Sequence, residues 1–183
     1  ELDRNGKLPL RYEGTYQIFI PERRNLAIRE MKRLRSTYGG GRLRFRTVKL
    51  FMDGVFENRS GAMLDAYSDD PSSVGNTMLT ADELRDFLLE LHEEKFDLNV
   101  HTIGDLAVRT TLDAVEAAQA AVDGDFYPRV SLVHLQVIDP ADLSRLAGRG
   151  VSANCTPSSH ALSITDPAAP APGTPRQRNP HHR

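Results

Sequence analysis

The chain has 183 residues, 39% of them hydrophobic and 26% charged, with a formal net charge of -2. That balance describes a folded globular domain with a real core, and it excludes a charge-driven partner such as nucleic acid or an acidic membrane surface. One cysteine, Cys155, allows no intrachain disulfide and points to a reducing cytoplasm.

No apolar run is long enough to span a bilayer, and no charged-then-apolar leader opens the chain. The first residue is Glu1 rather than methionine, which suggests a piece of something longer. The opening stretch ELDRNGKLPLR reads as the tail of a helix stopped by Asn5-Gly6. A strand is expected over 16–20, ended by Pro21. Pro21 then opens a helical pattern with Leu26, Ile28, Met31 and Leu34 on one face. Gly39-Gly40-Gly41 closes it, and a second strand over 45–52 carries Lys49.

The segment 53–79 is rich in Gly, Ser, Asp and Asn, and a loop of that length in a compact domain is usually functional or disordered. Thr80 and Glu83 form a capping box for a helix whose apolar stripe is Leu84, Phe87, Leu88 and Leu91. A third strand over 98–102 carries His101. A helix from Gly104-Asp105 follows, with Asp105 placed as its N-cap. The fourth strand, over 130–135, carries His134. Asp139 caps a short helix with Pro140 in its first turn, and a fifth strand covers 151–154.

This alternation predicts an α/β fold with parallel strands. Five strands fall short of the eight that close a (β/α)8 barrel, so the expectation is an open sheet or part of a TIM barrel. Residues 1–160 are read as the ordered unit. From Ala161 onward the chain is rich in proline and alanine without apolar periodicity, and 161–183 is expected to be a disordered tail.

Lys49, His101 and His134 each sit where an apolar strand ends, the position from which a parallel barrel presents functional groups. Neutral imidazole is the commonest biological metal ligand, and zinc sites accept nitrogen and carboxylate donors. A divalent cation, zinc first, is therefore the expected cofactor. Each residue also has a plainer role: Lys49 as a snorkelling residue, the histidines as satisfied core groups. Asp53, Arg59, Tyr67 and His160 are the substrate-facing candidates, each set against an ordinary turn, surface or structural role. His92 is expected at a helix surface, Cys155 in the core, and His181 and His182 as inert tail residues.

The strings VKLFMDGVFENRSGAMLDAYSDDP, HTIGD, VHLQ and ANCTPSSH, in that order, resemble the amidohydrolase superfamily, in the family-3 branch that includes N-substituted formamide deformylases. The resemblance runs from about Leu8 to His160. It implies a metal-dependent hydrolase on a (β/α)8 barrel, with Lys49 as a carboxylated lysine bridging two metals and His101 and His134 as ligands. Metal-bound hydroxide would then attack an amide or formamide C–N centre. The family's first-strand His-x-His pair has no counterpart here, and Val133 stands where an acidic residue is common. The eighth-strand aspartate is not carried onto Asp166. The resemblance thus implies barrel strands three to seven, without the first two and the eighth, and weak or absent turnover by this chain alone.

Two other readings stand beside it. Lys49 in an apolar setting could serve a Schiff-base lyase. Alternatively, a non-catalytic remnant would act only by association, with another copy of itself or with a complementary chain, through exposed sheet edges. Under the hydrolase reading the partner is a small amide-type substrate.

Overall fold

A computed structural model describes residues 1–148 and 150–155; His160, His181, His182 and the expected tail over 161–183 lie outside the described residues. Five strands, β1 (Tyr12–Ile18), β2 (Leu43–Phe51), β3 (Asp97–Thr102), β4 (Val130–His134) and β5 (Val151–Cys155), form one sheet in the order β1-β2-β3-β4-β5. Every neighbouring pair is parallel. Helices α1 (Arg24–Tyr38), α2 (Ala81–Glu94) and α3 (Asp105–Ala120) lie in the first three crossovers. The α/β expectation and its five strands are therefore observed.

Alternation along the strands decides which face is covered. Val48 and Leu50 on β2, Leu98 and Val100 on β3, and Val130 and Leu132 on β4 are fully buried. They share one core with Ile28 and Met31 of α1, the α2 stripe Leu84, Phe87, Leu88 and Leu91, and Val108, Leu112 and Val115 of α3. Side chains one residue along point the other way. In register, Gln17, Lys49, Asn99, Ser131 and Ser152 make a polar row across all five strands, none of them buried. Phe51 and His101 pair one step further along, at the carboxyl ends of β2 and β3.

Local signals held where they were strongest. The capping box at Thr80 is complete: its side chain accepts from the Glu83 N–H at 3.2 Å, and the Glu83 carboxylate accepts from the Thr80 N–H at 2.9 Å. Asp139 accepts from the Ala141 N–H at 2.8 Å, and the helix it caps is one 3-10 turn, Pro140–Asp142. Among its described residues that crossover carries no α-helix. It is tied to α3 by Arg109 and Arg145, which both bond the buried Asp142, Arg145 reaching Asp113 and Glu116 as well.

Other expectations need correcting. The opening stretch is a single turn rather than a helix end, with Gly6 at φ 66°. β1 starts and stops earlier than expected: its register follows β2 from Tyr12↔Leu43, which leaves Phe19 and Ile20 exposed beyond its end. The pairing shifts at Gly14, where the Phe45 ring takes the place of a side chain. Asp105 is the first residue of α3, and the N-cap is Gly104; the Asp105 carboxylate accepts instead from the Leu64 N–H at 2.8 Å. Cys155 is exposed: among the described residues β5 is the last strand of the sheet. His92 is half-buried, stacked on Phe126 with its Nδ1 accepting from the Tyr127 N–H at 3.1 Å.

Among the described residues no helix is long and apolar enough to cross a membrane.

Candidate functional site

Parallel neighbours bring the ends of β2, β3 and β4 side by side. The His101 and His134 rings meet edge to face with centroids 4.7 Å apart. Phe51 also packs against His101 at 4.9 Å, and Phe19 stacks on Phe51 at 5.1 Å. The Lys49 ammonium lies 5.4 Å from the Phe51 ring centre. The three residues expected to act together are thus drawn into one cluster, and the two phenylalanines that wall it carried no functional signal in the sequence.

His134 reaches this position through an unusual backbone. Its φ is 80° and that of Leu135 is 53°, two consecutive non-glycine residues in a region that L side chains rarely adopt. This turn ends β4 one residue earlier than expected. Such strain persists only where the surroundings impose it, and it concentrates at functional sites.

His101 is buried, and its Nε2 lies 2.8 Å from the Gly54 carbonyl oxygen. A carbonyl only accepts, so Nε2 carries the hydrogen and Nδ1 holds the lone pair. Burial lowers the His101 pKa and Lys49 lowers it further, against the Gly54 bond that raises it. Burial, then His101 and Lys49, lowers that of His134. Both shifts favour the neutral imidazole, the ligating form. Burial also pulls Lys49 down to about 8, so its neutral amine is populated near physiological pH.

Asp53 is buried and does not face outward as a substrate contact. Its carboxylate accepts from the N–H groups of Ala62 at 3.0 Å, Ile103 at 3.0 Å and Gly104 at 2.8 Å. Burial pushes its pKa up to about 6, with the three backbone bonds pulling it back. Tyr67 is also fully buried, and its hydroxyl donates to the Gly61 carbonyl at 2.7 Å. It is a core residue of the 53–79 segment, without the open phenol a substrate would need. Arg59 is exposed and paired to Asp69 at 3.0 Å. It lines an open cleft of about 490 Å³ with Ser60, Ser72, Ser73 and Asn76, and Lys49, His101 and His134 are not among that cleft's walls.

Among the described residues no three His, Cys, Asp or Glu side chains group closely enough to hold a metal ion. Lys49, His101 and His134 fit a divalent cation in kind: two neutral imidazoles and an amine with a lowered pKa. The His101 Nε2–H donated to a backbone carbonyl is the arrangement that orients a ligating histidine. They do not complete a site by themselves.

The chain is 31% identical over 148 residues to "Exoenzymes regulatory protein AepA" of Pectobacterium carotovorum subsp. carotovorum, which covers 80% of this chain and 30% of that protein. Two solved structures share the fold. An uncharacterized metal-dependent hydrolase from Pyrococcus horikoshii OT3 matches with TM-score 0.66 and 26% identity, over 85% of this chain and 29% of that one. Another from Pyrococcus furiosus matches with TM-score 0.60 and 27% identity, over 79% and 28%. The chain therefore spans less than a third of each of these relatives, and its sheet is part of a TIM barrel of their kind. A family model described as Amidohydrolase family matches residues 1–179, and the chain belongs to that family.

Proposed function

We propose that this chain supplies part of the metal centre of a hydrolase acting on C–N bonds of a small amide or formamide, with Lys49, His101 and His134 as its ligands. The observation that carries this is the meeting of the two histidine rings, 4.7 Å apart, at the ends of adjacent parallel strands, with Lys49 on the next strand. A bound divalent cation, zinc by preference, supplies Lewis-acid polarisation and an activated water. The protein's own part is to hold two neutral imidazoles and a lysine at one barrel mouth, with Phe51 packed against His101. The neutral Lys49 amine is the form that adds carbon dioxide, with loss of a proton, to give a carbamate. The finer reading places the chain in the formamide-deformylase-like branch, at barrel strands three to seven, in the cytoplasm, and with little turnover alone.

The test is cobalt(II) uptake by the purified chain, followed by visible absorption and metal analysis. Binding near one equivalent or more, lost in His101→Ala and in His134→Ala, is the expected result. A chain that takes up no cobalt, or variants that bind as well as the parent, refutes the assignment.

The lowered Lys49 pKa favours one second reading, a Schiff-base lyase. Borohydride reduction in the presence of a keto acid would then label Lys49; an unlabelled chain excludes it.

A further inference from the structure

Asp53 is the most heavily engaged carboxylate near the candidate site, and its bonds join two separate stretches of chain. On one side it holds the N–H groups of Ile103 and Gly104, the two residues after the His101–Thr102 end of β3. On the other it belongs to the peptide unit that leads into Gly54, whose carbonyl takes the His101 Nε2–H. The acceptor is thus carried by the residue next to Asp53, and the donor lies two residues before backbone that the Asp53 carboxylate holds. The Asp53 Oδ1 itself lies 3.7 Å from His101 Nε2, where its negative charge favours hydrogen on that nitrogen.

The far side of Gly54 is held as well. Its N–H donates to the Ser60 carbonyl at 2.9 Å, and the Val55 N–H donates to Ser60 Oγ at 3.0 Å. A Cβ on Gly54 would fall onto the Ser60 side chain, so this close approach requires glycine. A turn that needed only to be pinned could use any acceptor here. Asp53 is a buried carboxylate that accepts from three backbone donors and stands beside an imidazole.

We propose that Asp53 is a positioning residue: by fixing the Gly54 carbonyl against His101 it selects the Nε2–H tautomer and leaves Nδ1 as the nitrogen that can bind a cation. The tautomer control stands on the hydrogen bonds alone, and only its use for a cation rests on the proposed function.

The experiment records two-bond 1H–15N histidine spectra of the metal-free chain at pH 7. The parent is expected to show His101 protonated at Nε2 and bare at Nδ1. Asp53→Asn is expected to shift His101 toward the Nδ1–H form and to weaken cobalt(II) binding about 10- to 100-fold. Asp97→Asn is the matched control. Asp97 is also buried and accepts from the Arg129 N–H at 3.0 Å and its guanidinium at 2.9 Å, but at the opposite end of β3. It should destabilise the fold and leave the tautomer alone. An Asp53→Asn protein with the parent's tautomer, or a parent carrying Nδ1–H, overturns the proposal. If Asp53→Asn does not fold, Gly54→Ala decides: it leaves the carboxylate's three bonds in place and displaces the carbonyl, so an unchanged tautomer again overturns it. Cobalt binding by the parent tests the metal reading separately, because the tautomers are compared without metal.

Discussion

Replacing Lys49 with methionine should stabilise the metal-free chain at pH 7 and remove one component of its pH dependence. Burial lowers the folded-state pKa from 10.5 to about 8. In full that corresponds to about 3 kcal/mol of charging penalty. Lys49 keeps partial contact with solvent, so screening brings the working figure to about 1–2 kcal/mol. The sign follows from proton counting. Between pH 8 and 10.5 the unfolded chain holds a proton that the folded chain has released, so stability rises with pH across that window. Below pH 8 both states are protonated and the whole penalty is felt. Lys49→Met, of similar length and without charge, should therefore exceed the parent by about 1–2 kcal/mol at pH 7. The gap should close as pH approaches 10.5. Urea unfolding of both proteins at pH 7, 9 and 10 measures it. The difference between them cancels other alkaline titrations, such as Tyr67, whose pKa burial raises to about 12. A gap that is constant with pH, or a methionine variant less stable at pH 7, refutes the reasoning.

Three further outcomes can be measured. Thr80→Ala removes one side of the capping box and should cost about 1 kcal/mol in urea unfolding. Gly104→Ala drives a Cβ onto the Ala62 carbonyl and close to Met63 Sδ; it should cost about 1–3 kcal/mol and speed amide exchange across 61–67, where an unchanged exchange pattern counts against the close packing. Asp142→Ala strips a buried carboxylate from Arg109 and Arg145, and should lower stability by about 3–5 kcal/mol while freeing the 140–147 turns from α3.

Much of the fold is legible without coordinates because its signals are local. Val48 and Leu50, or Leu98 and Val100, alternate with polar neighbours over a few residues, and the α2 stripe repeats at helical spacing. A fully covered parallel sheet would read as continuous apolar runs. Here one face carries Gln17, Lys49, Asn99, Ser131 and Ser152, so the strands alternate and can be read one by one. The capping residues Thr80 and Asp139 were recognisable for the same reason: each acts on an N–H two or three residues away.

The site was legible only in part. Lys49, His101 and His134 stand out because a polar residue ends each apolar strand. Asp53 and Tyr67 look like loop residues free to meet a substrate, yet both are buried. Asp53 bonds to residues 50 and 51 positions away, and no pattern in its own neighbourhood records that. Asp105 departs from its expected capping role for the same reason, since its partner, the Leu64 N–H, lies 41 positions back. Cys155 differs the other way: a small apolar residue suggests a core, but among the described residues β5 is the last strand of the sheet.

The sequence by itself determined the five strands and three α-helices, their order, and the three polar residues near strand ends, because these depend on neighbours within a turn or two. Only the tertiary structure decided that the histidine rings touch, that His134 turns through a positive φ to do so, and that Asp53, next to the Gly54 acceptor, holds the backbone that follows His101. Those facts depend on the parallel register of β2, β3 and β4, which sets far-apart residues side by side.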